Sequence, residues 1–493
     1  MIRIRTCDIL CASFATVLLA SAGFGQQFAH WSQFRGSDGL AVAPSTDVPI
    51  PFDLEKHLGW KVEVPAGHSS PIVWKDQVFL SGYEGEQLLM LSYSRKTGKE
   101  LWRHVVRSRG EELAEHTSCC PAMPTGCTDG DRVYFYFGAY GVCALAMDGK
   151  PVWEKKLPVP RHQFGTANSL ILAGDAVVVV RDGARERAIL GLSRQDGEQL
   201  WKIPRLAFIM TYSTPFLWKN SKREELVVAG TGRLTSFDPD TGERLWQVGN
   251  TAIFVCPTPT ADKDMIYHAA WTTSNAQGST MIDSLFGEGK FSRKDLRDGK
   301  SLFRKLDIND DGKVLPDELH ECRAKDCFEF ADRNKSGAWE VREVSGFLKS
   351  SRSPGRNICV AVKAGGEGTI TDSHVKWEYR RGLPYVSSPL LHKGRLYLYK
   401  SGGLVTCLNP VSGTAHYRQK RLSDLSEAYA SPVGVGNHVL VCTSGGTCHF
   451  LKVSNTLQVD AVVDFGEKIH ATPAILRDQI LMRTERHLWS VGK

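Results

Sequence analysis

The stretch HSSPIVWKDQVFLSGYEGEQLLMLSYSRKTGKELW, His68 to Trp102, contains one complete unit of the pattern that organises this chain. Two serines and Pro71 open it, and a turn leads into the alternating strand DQVFLSG. The glycine turn KTGK then brings the chain to a closing tryptophan, Trp102. The opening returns as CCP at Pro121, STP at Pro215, PTP at Pro259, SSP at Pro389, ASP at Pro432 and ATP at Pro473. The close returns as MDGKPVW at Trp153, QDGEQLW at Trp201 and DTGERLW at Trp246. Four short strands per unit, with glycine turns between them, are what a propeller blade looks like in sequence.

The prolines also count the blades. Pro71 to Pro121 is 50 residues and Pro121 to Pro215 is 94, two periods, the skipped unit beginning at Thr166. Pro215 to Pro259 is 44, Pro389 to Pro432 is 43 and Pro432 to Pro473 is 41. Pro259 to Pro389 is 130, so the fifth unit carries an insertion. The expectation is an all-β, eight-bladed propeller, with seven blades as the alternative. After Pro473 the chain has room for three strands, HATPAIL, QILMRT and HLWSV. The fourth is expected from LGWKVEVP, Leu58 to Pro65, whose Trp60 takes the closing position. That exchange would seal the ring and leave no sheet edge exposed.

The insertion holds DINDDGKVLPDE, Asp307 to Glu318, and DRNKSGAWEVRE, Asp332 to Glu343. Both fit the spacing of a calcium-binding EF-hand loop, whose oxygen ligands fall at fixed positions around a glycine turn. The first set is Asp307, Asn309, Asp311, the Lys313 carbonyl and Glu318, with Leu315 leaving its position to water. The second is Asp332, Asn334, Ser336, the Ala338 carbonyl, Glu340 and Glu343. Val314 and Trp339 occupy the eighth positions, where paired loops meet. Only residues 319–331 separate the loops, so one shared helix of ~20 Å is expected between them.

Bulk properties narrow the class. The chain has 493 residues, net charge +7 and 42% hydrophobic residues, so it supports a large core and gives no nucleic-acid signature. Arg3 and Arg5, an apolar run from Ile9 to Phe24 and small residues to Gly25 match a secretory signal, with an uncleaved anchor as the alternative. No later membrane span is expected. The division is a signal at 1–25, an N-terminal arm at 26–57, propeller at 58–271, the EF-hand insertion at 272–356 and propeller again at 357–493. Export permits disulfides. Cys442 and Cys448 flank a hairpin turn and are either a bridge or two buried thiols.

KAGGEGTITDSHVKWEYRRGLPYVSSPLLHKGRLYLYKSGGLVTCLNPVSGTAHY, YASPV and HATPAIL, with the arm HWSQFRGSDGL, resemble secreted bacterial PQQ-like, or BamB-like, β-propeller repeat proteins. The resemblance covers essentially the whole mature chain. It implies export to the periplasm or beyond, and it includes members with calcium-loop insertions. It also implies two functions. In the first, the propeller is a quinoprotein dehydrogenase, holding PQQ and calcium in its channel beneath a disulfide between adjacent cysteines, which draws attention to Cys119 and Cys120. The plainer account of that pair is two small residues ahead of Pro121. No channel ligand set for calcium maps onto this sequence.

In the second, the propeller is a binding or assembly platform. Three residues before the recurring proline stand His68, Tyr212, Tyr429 and His470, with Tyr385 one place further out. The connections leading to them carry Arg107, Arg109, Arg161, Arg205, Arg380, Arg381, Lys420 and Arg421. Gathered at one mouth, these groups would suit an acidic ligand, a glycan or a peptide strand. G-x-S-x-G, H-E-x-x-H and phosphate-loop patterns are absent. The platform is the expected function, with calcium as its ion, a protein, peptide or glycan as its partner and PQQ not expected.

Overall fold

Each unit folds as an antiparallel four-stranded sheet, and eight such sheets stand around a central channel in the computed structural model. It describes residues 30–492 apart from 44–45, 111–118, 161–163, 183–186, 206–210, 273–284, 288–289, 293, 321, 323, 326–327, 333, 335 and 352–354. The signal sequence lies outside the described residues. Among those described, no helix is long and apolar enough to cross a membrane.

Blade 1 shows how sequence becomes position. Its strands are Ile72–Trp74, Gln77–Glu84, Gln87–Ser94 and Glu100–Arg107, ordered from the channel outward. Leu88 to Tyr93, on the third strand, are buried on both faces because blades press on either side. The outermost strand, ELWRHVVR, mostly alternates exposed with half-buried residues, as a strand with one wet face must.

Most closing tryptophans hold one blade to the next, Trp246 bonding Glu225 of its own blade instead. Trp102 donates its indole N–H to the Met147 carbonyl of blade 2 at 2.9 Å, and Trp153 donates to the Arg194 carbonyl of blade 3 at 3.0 Å. Trp60 and Trp377 make the same bond to Arg95 and Pro410. The indole lies against the glycine of the next blade's turn. A Cβ on Gly149, whose φ is +84°, would sit 2.6 Å from the Trp102 ring. Turn glycine and closing tryptophan are therefore two halves of one contact between neighbouring blades.

Ring closure follows the expected route. Leu58–Glu63 pairs antiparallel with His487–Gly492 as the outer strand of the last blade, Lys61 opposite Trp489. Arg483, buried in that blade, donates to the Ser69, Ser81 and Pro65 carbonyls and to Ser69 Oγ, clasping the last blade to the first.

The register in blade 2 corrects the proline count. Its inner strand is Cys127–Thr128, and Gly126, rather than Pro121, takes the place of Pro71. A Cβ there would lie 2.4 Å from the Tyr134 carbonyl oxygen, so no proline fits. Counted from Gly126, the next openings fall at Leu170, Pro215 and Pro259, and the spacings become 44, 45 and 44.

The arm is more deeply engaged than its sequence suggests. His30–Trp31 adds a strand inside Ile72–Trp74 of blade 1, and Val42–Ala43 runs parallel to Val433–Val435 of blade 7. Between them Arg35, fully buried, donates to the Thr258 and Pro259 carbonyls of blade 5 and the Pro389 carbonyl of blade 6. Thr46 and Asp47 then bond to the Leu476–Arg477 turn of blade 8. Crossing from blade to blade in this way, the arm plugs one end of the channel.

The insertion leaves blade 5 between Met265–Ala270 and Ile358–Lys363. It has its own apolar core around Leu302, Phe303, Val314, Trp339 and Phe347. Gly299–Leu306, capped by Asp298, leads into the first calcium-type loop, and Val341–Ser351 begins at the end of the second. Val314 and Trp339 exchange backbone hydrogen bonds of 3.0 and 2.8 Å. Among the described residues between the loops, Pro316 to His320 form a turn, Ala324 and Lys325 a 3-10 turn, and α-helix is seen at Phe328–Ala331, so the expected single shared helix is not continuous there. Leu319, Cys322 and Ala324 all point into the core, a spacing one helical face cannot supply.

Candidate functional site

The residue just before each inner strand's opening position is a serine or threonine in every blade: Ser70, Thr125, Ser169, Thr214, Thr258, Ser388, Ser431 and Thr472. These hydroxyls form a ring around the channel. The Ser70 N–H donates to Thr125 Oγ1 at 2.9 Å, Thr125 N–H to Ser169 Oγ at 3.0 Å and Ser169 N–H to Thr214 Oγ1 at 3.0 Å. The chain resumes from Thr258 to Ser388, Ser431, Thr472 and back to Ser70, each bond 3.0 Å. Between Thr214 and Thr258 the link runs through the Thr258 hydroxyl to the Thr214 carbonyl at 3.3 Å. Each bond satisfies a buried N–H or hydroxyl and fixes one blade's height against the next.

Two residues earlier in each blade stands a second ring: His68, Met123, Ala167, Tyr212, Cys256, Val386, Tyr429 and His470. All eight line one cavity of about 420 Å³. Seven of the hydroxyl-ring residues line it too, together with Cys119, Phe164, Tyr385 and Glu427. Phe34, from the arm, reaches the same space. The cavity is therefore a cup, open at the mouth and backed by the plug. His68 and His470 stack at 4.2 Å, Tyr429 lies 5.1 Å from His470, and Phe164 meets Tyr212 edge-on at 5.9 Å.

His68, Tyr212, Tyr385, Tyr429 and His470 are thus brought together. The sequence reading missed Met123 and Ala167, whose positions follow from the corrected register; Cys256 and Val386, three residues before Pro259 and Pro389; and Phe34, Phe164 and Glu427, which no offset marks. It also misplaced the arginines. Arg380 and Arg381 lie in a separate hollow with Glu378, Tyr379 and Arg418, and Arg380 bonds Glu378 at 2.7 Å. They follow blade 5's outermost strand, Val375–Tyr379, before the chain has crossed back to the channel. Arg107 pairs with Glu86, Arg205 is buried against Asp182, and Arg109 and Arg421 bond backbone carbonyls. Lys420 sits on an outer strand, and Arg161 falls outside the described residues. Among the described residues, the cup's lining holds one carboxylate, Glu427, and no lysine or arginine.

Burial sets the cup's protonation. It pushes the Cys256 thiol and the Tyr385 hydroxyl up to about 12, and raises Tyr212 further. It lowers His470 below the ordinary histidine range. These groups are neutral at pH 7, and none is an activated nucleophile or a charged acid. Cys119 lines the cup while Cys120 packs into the core between blades 1 and 2, and no disulfide joins them. Neither residue occupies the slot ahead of the inner strand, which belongs to Pro124 and Thr125. Cys442 and Cys448 lie opposite each other in blade 7 as thiols, their sulfurs 3.3 Å apart.

The inserted loops share the bonds of their first aspartate and closing glutamate. Asp307 accepts from Asp311 N–H and Gly312 N–H, as Asp332 does from Ser336 and Gly337. Glu318 accepts from Asn309 and Leu315, as Glu343 does from Asn334 and Glu340. Among the described residues no three Asp, Glu, His or Cys side chains converge as a metal cluster. The donors are hard oxygens, the chemistry that calcium requires. PQQ, by contrast, carries three carboxylates. In the cup it would meet Glu427 and no cationic side chain among the described lining residues, so these residues do not fit it.

A family model described as outer membrane protein assembly factor BamB matches residues 54–163 and 91–253. No curated protein sequence matches the chain. Solved structures share its fold. BamB from Moraxella catarrhalis aligns over 88% of this chain and 99% of its own, with 11% identity and a TM-score of 0.52. Quinohemoprotein alcohol dehydrogenase from Comamonas testosteroni aligns over 94% and 80%, with 10% identity and a TM-score of 0.57. A europium-containing methanol dehydrogenase aligns over 95% and 99%, with 10% identity and a TM-score of 0.56. At these identities the likeness is one of fold. The blade repeat, the closed ring of eight sheets and these matches agree that this chain is a β-propeller repeat protein, similar over residues 54–253 to the BamB assembly-factor model.

Proposed function

We propose that this protein is an exported binding or assembly platform that receives a protein, peptide or glycan partner at the mouth of the cup and binds calcium in its inserted loop pair. The observation that carries this reading is the cup itself: a one-ended, aromatic-lined cavity in which burial holds Cys256, Tyr212, Tyr385 and His470 neutral. Such a lining suits recognition better than bond-making. The signal-like N-terminus supports export, and the matched family's description as an assembly factor supports a partner-binding role. The calcium reading rests on two loops whose first aspartate and closing glutamate accept the same set of backbone N–H groups. The competing reading, a PQQ-dependent oxidoreductase, has the shared fold in its favour and the cup's charge against it.

One set of experiments on the full mature chain separates them. Calcium titration by calorimetry is expected to show two sites, with Kd on the order of 10⁻⁴ to 10⁻³ M as in extracellular modules. Glu318→Gln and Glu343→Gln should each remove one. Five millimolar calcium should then raise stability by about 1–2 kcal/mol per site. After incubation with PQQ and calcium and passage over a sizing column, no quinone absorbance and no dye-linked alcohol oxidation are expected. Retained quinone with turnover would replace the platform by the oxidoreductase. A flat calcium titration would remove the ion from the account.

A further inference from the structure

The chemistry of the cup points to the kind of ligand it holds. This inference rests on the platform reading of the same site and goes beyond it. Tyr385, Tyr429 and His470 stand on one side of the cavity, and Phe164 and Tyr212 present rings from another. Aromatic faces carry negative charge density and attract cations most strongly where water is excluded. Glu427, exposed at the mouth, is the one carboxylate among the described lining residues, which include no lysine or arginine. Of the arginines that could have favoured an anion, Arg107, Arg205 and Arg380 are bound to Glu86, Asp182 and Glu378, and Arg109 and Arg421 bond backbone carbonyls. Because the arm plugs the far end, a ligand has to enter headfirst past Glu427 and stop above Phe34.

We propose that the cup takes a small organic cation, an ammonium or N-methylated ammonium carried on an apolar or aromatic body, with the cationic head among the tyrosine rings and Glu427 as its counter-charge. An acidic ligand, by the same geometry, is disfavoured. The cup's size agrees: about 420 Å³ is near the lower end of small-molecule pockets and admits one aromatic ring with a bulky substituent.

Three phenols of similar shape test this by calorimetry on the full chain: (4-hydroxyphenyl)trimethylammonium, its neutral isostere 4-tert-butylphenol, and 4-hydroxybenzenesulfonate. The cation is expected to bind tightest and the sulfonate weakest. Glu427→Gln, at an exposed side chain, should weaken the cation roughly fivefold and leave the neutral phenol unchanged. Tyr429→Phe, which keeps the ring, should change neither by more than about twofold. If the neutral phenol or the sulfonate binds best, the charge inference is overturned and the cup remains a binding site. If none of the three binds, the cup is not a small-ligand site and the platform reading loses its mouth as well.

Discussion

Arg35→Ala should lower the stability of the whole propeller by about 3 kcal/mol, although the residue belongs to none of the blades. Its guanidinium reaches the Pro259 carbonyl at 3.0 Å, the Pro389 carbonyl at 2.7 Å and the Thr258 carbonyl at 3.4 Å, all buried. Each carbonyl left without a donor costs about 1–3 kcal/mol. Removing the charge returns part of that, because burial already pushes the guanidinium down to about 9. Arg35→Lys keeps a charge but loses the flat fork that spans two blades, and should recover less than half the loss. Denaturant midpoints measure the effect. Limited proteolysis should show residues 30–43 cut first in the alanine variant. Unchanged midpoints and an uncut arm would mean that the plug is loosely held.

Between pH 6.5 and pH 4 the wild-type protein should lose up to roughly 3 kcal/mol through one residue, His268. It lies fully buried on the second strand of blade 5, and neither ring nitrogen has a hydrogen-bond partner among the described residues. Desolvation lowers it to about 4, against 6.5 for an ordinary histidine. Below pH 6.5 the unfolded chain takes up this proton and the folded chain does not. The contribution is therefore fully present above 6.5 and is lost as pH falls toward 4. His268→Gln at the same site carries no such proton. Its stability should be lower at pH 7.5 but should fall less steeply on acidification, as pH-dependent urea curves would show. Parallel curves for the two proteins would acquit His268.

The blade count and the closing strand were legible because they rest on local chemistry repeated many times. Pro71, Pro215 and Pro389 mark equivalent places, and each closing tryptophan lies a few residues after its own turn. The error in blade 2 arose where that chemistry changes, since Gly126 replaces proline at a point where the Tyr134 carbonyl leaves no room. The hydroxyl ring was visible as small residues before proline. Reading them as hydroxyls requires knowing that Ser70 N–H faces Thr125, 55 residues away. Arg35 bonding a carbonyl 224 residues distant has no local signature at all. The mouth was half right for the same reason. His68, Tyr212, Tyr429 and His470 sit at a fixed offset from the inner strand, and the fold brings that offset to one ring. The arginines have no fixed offset, so their proximity in sequence to those positions meant little.

The cup's role as the binding site is tested most directly by a crystal of the full chain soaked with (4-hydroxyphenyl)trimethylammonium. Density is expected inside the ring of His68, Tyr212, Tyr385, Tyr429 and His470, resting on Phe34, and is expected to disappear in a His68→Ala, His470→Ala double variant. Density lodged instead in the hollow of Arg380, Arg381 and Arg418, or an empty cup at a concentration that saturates binding in solution, would contradict that role.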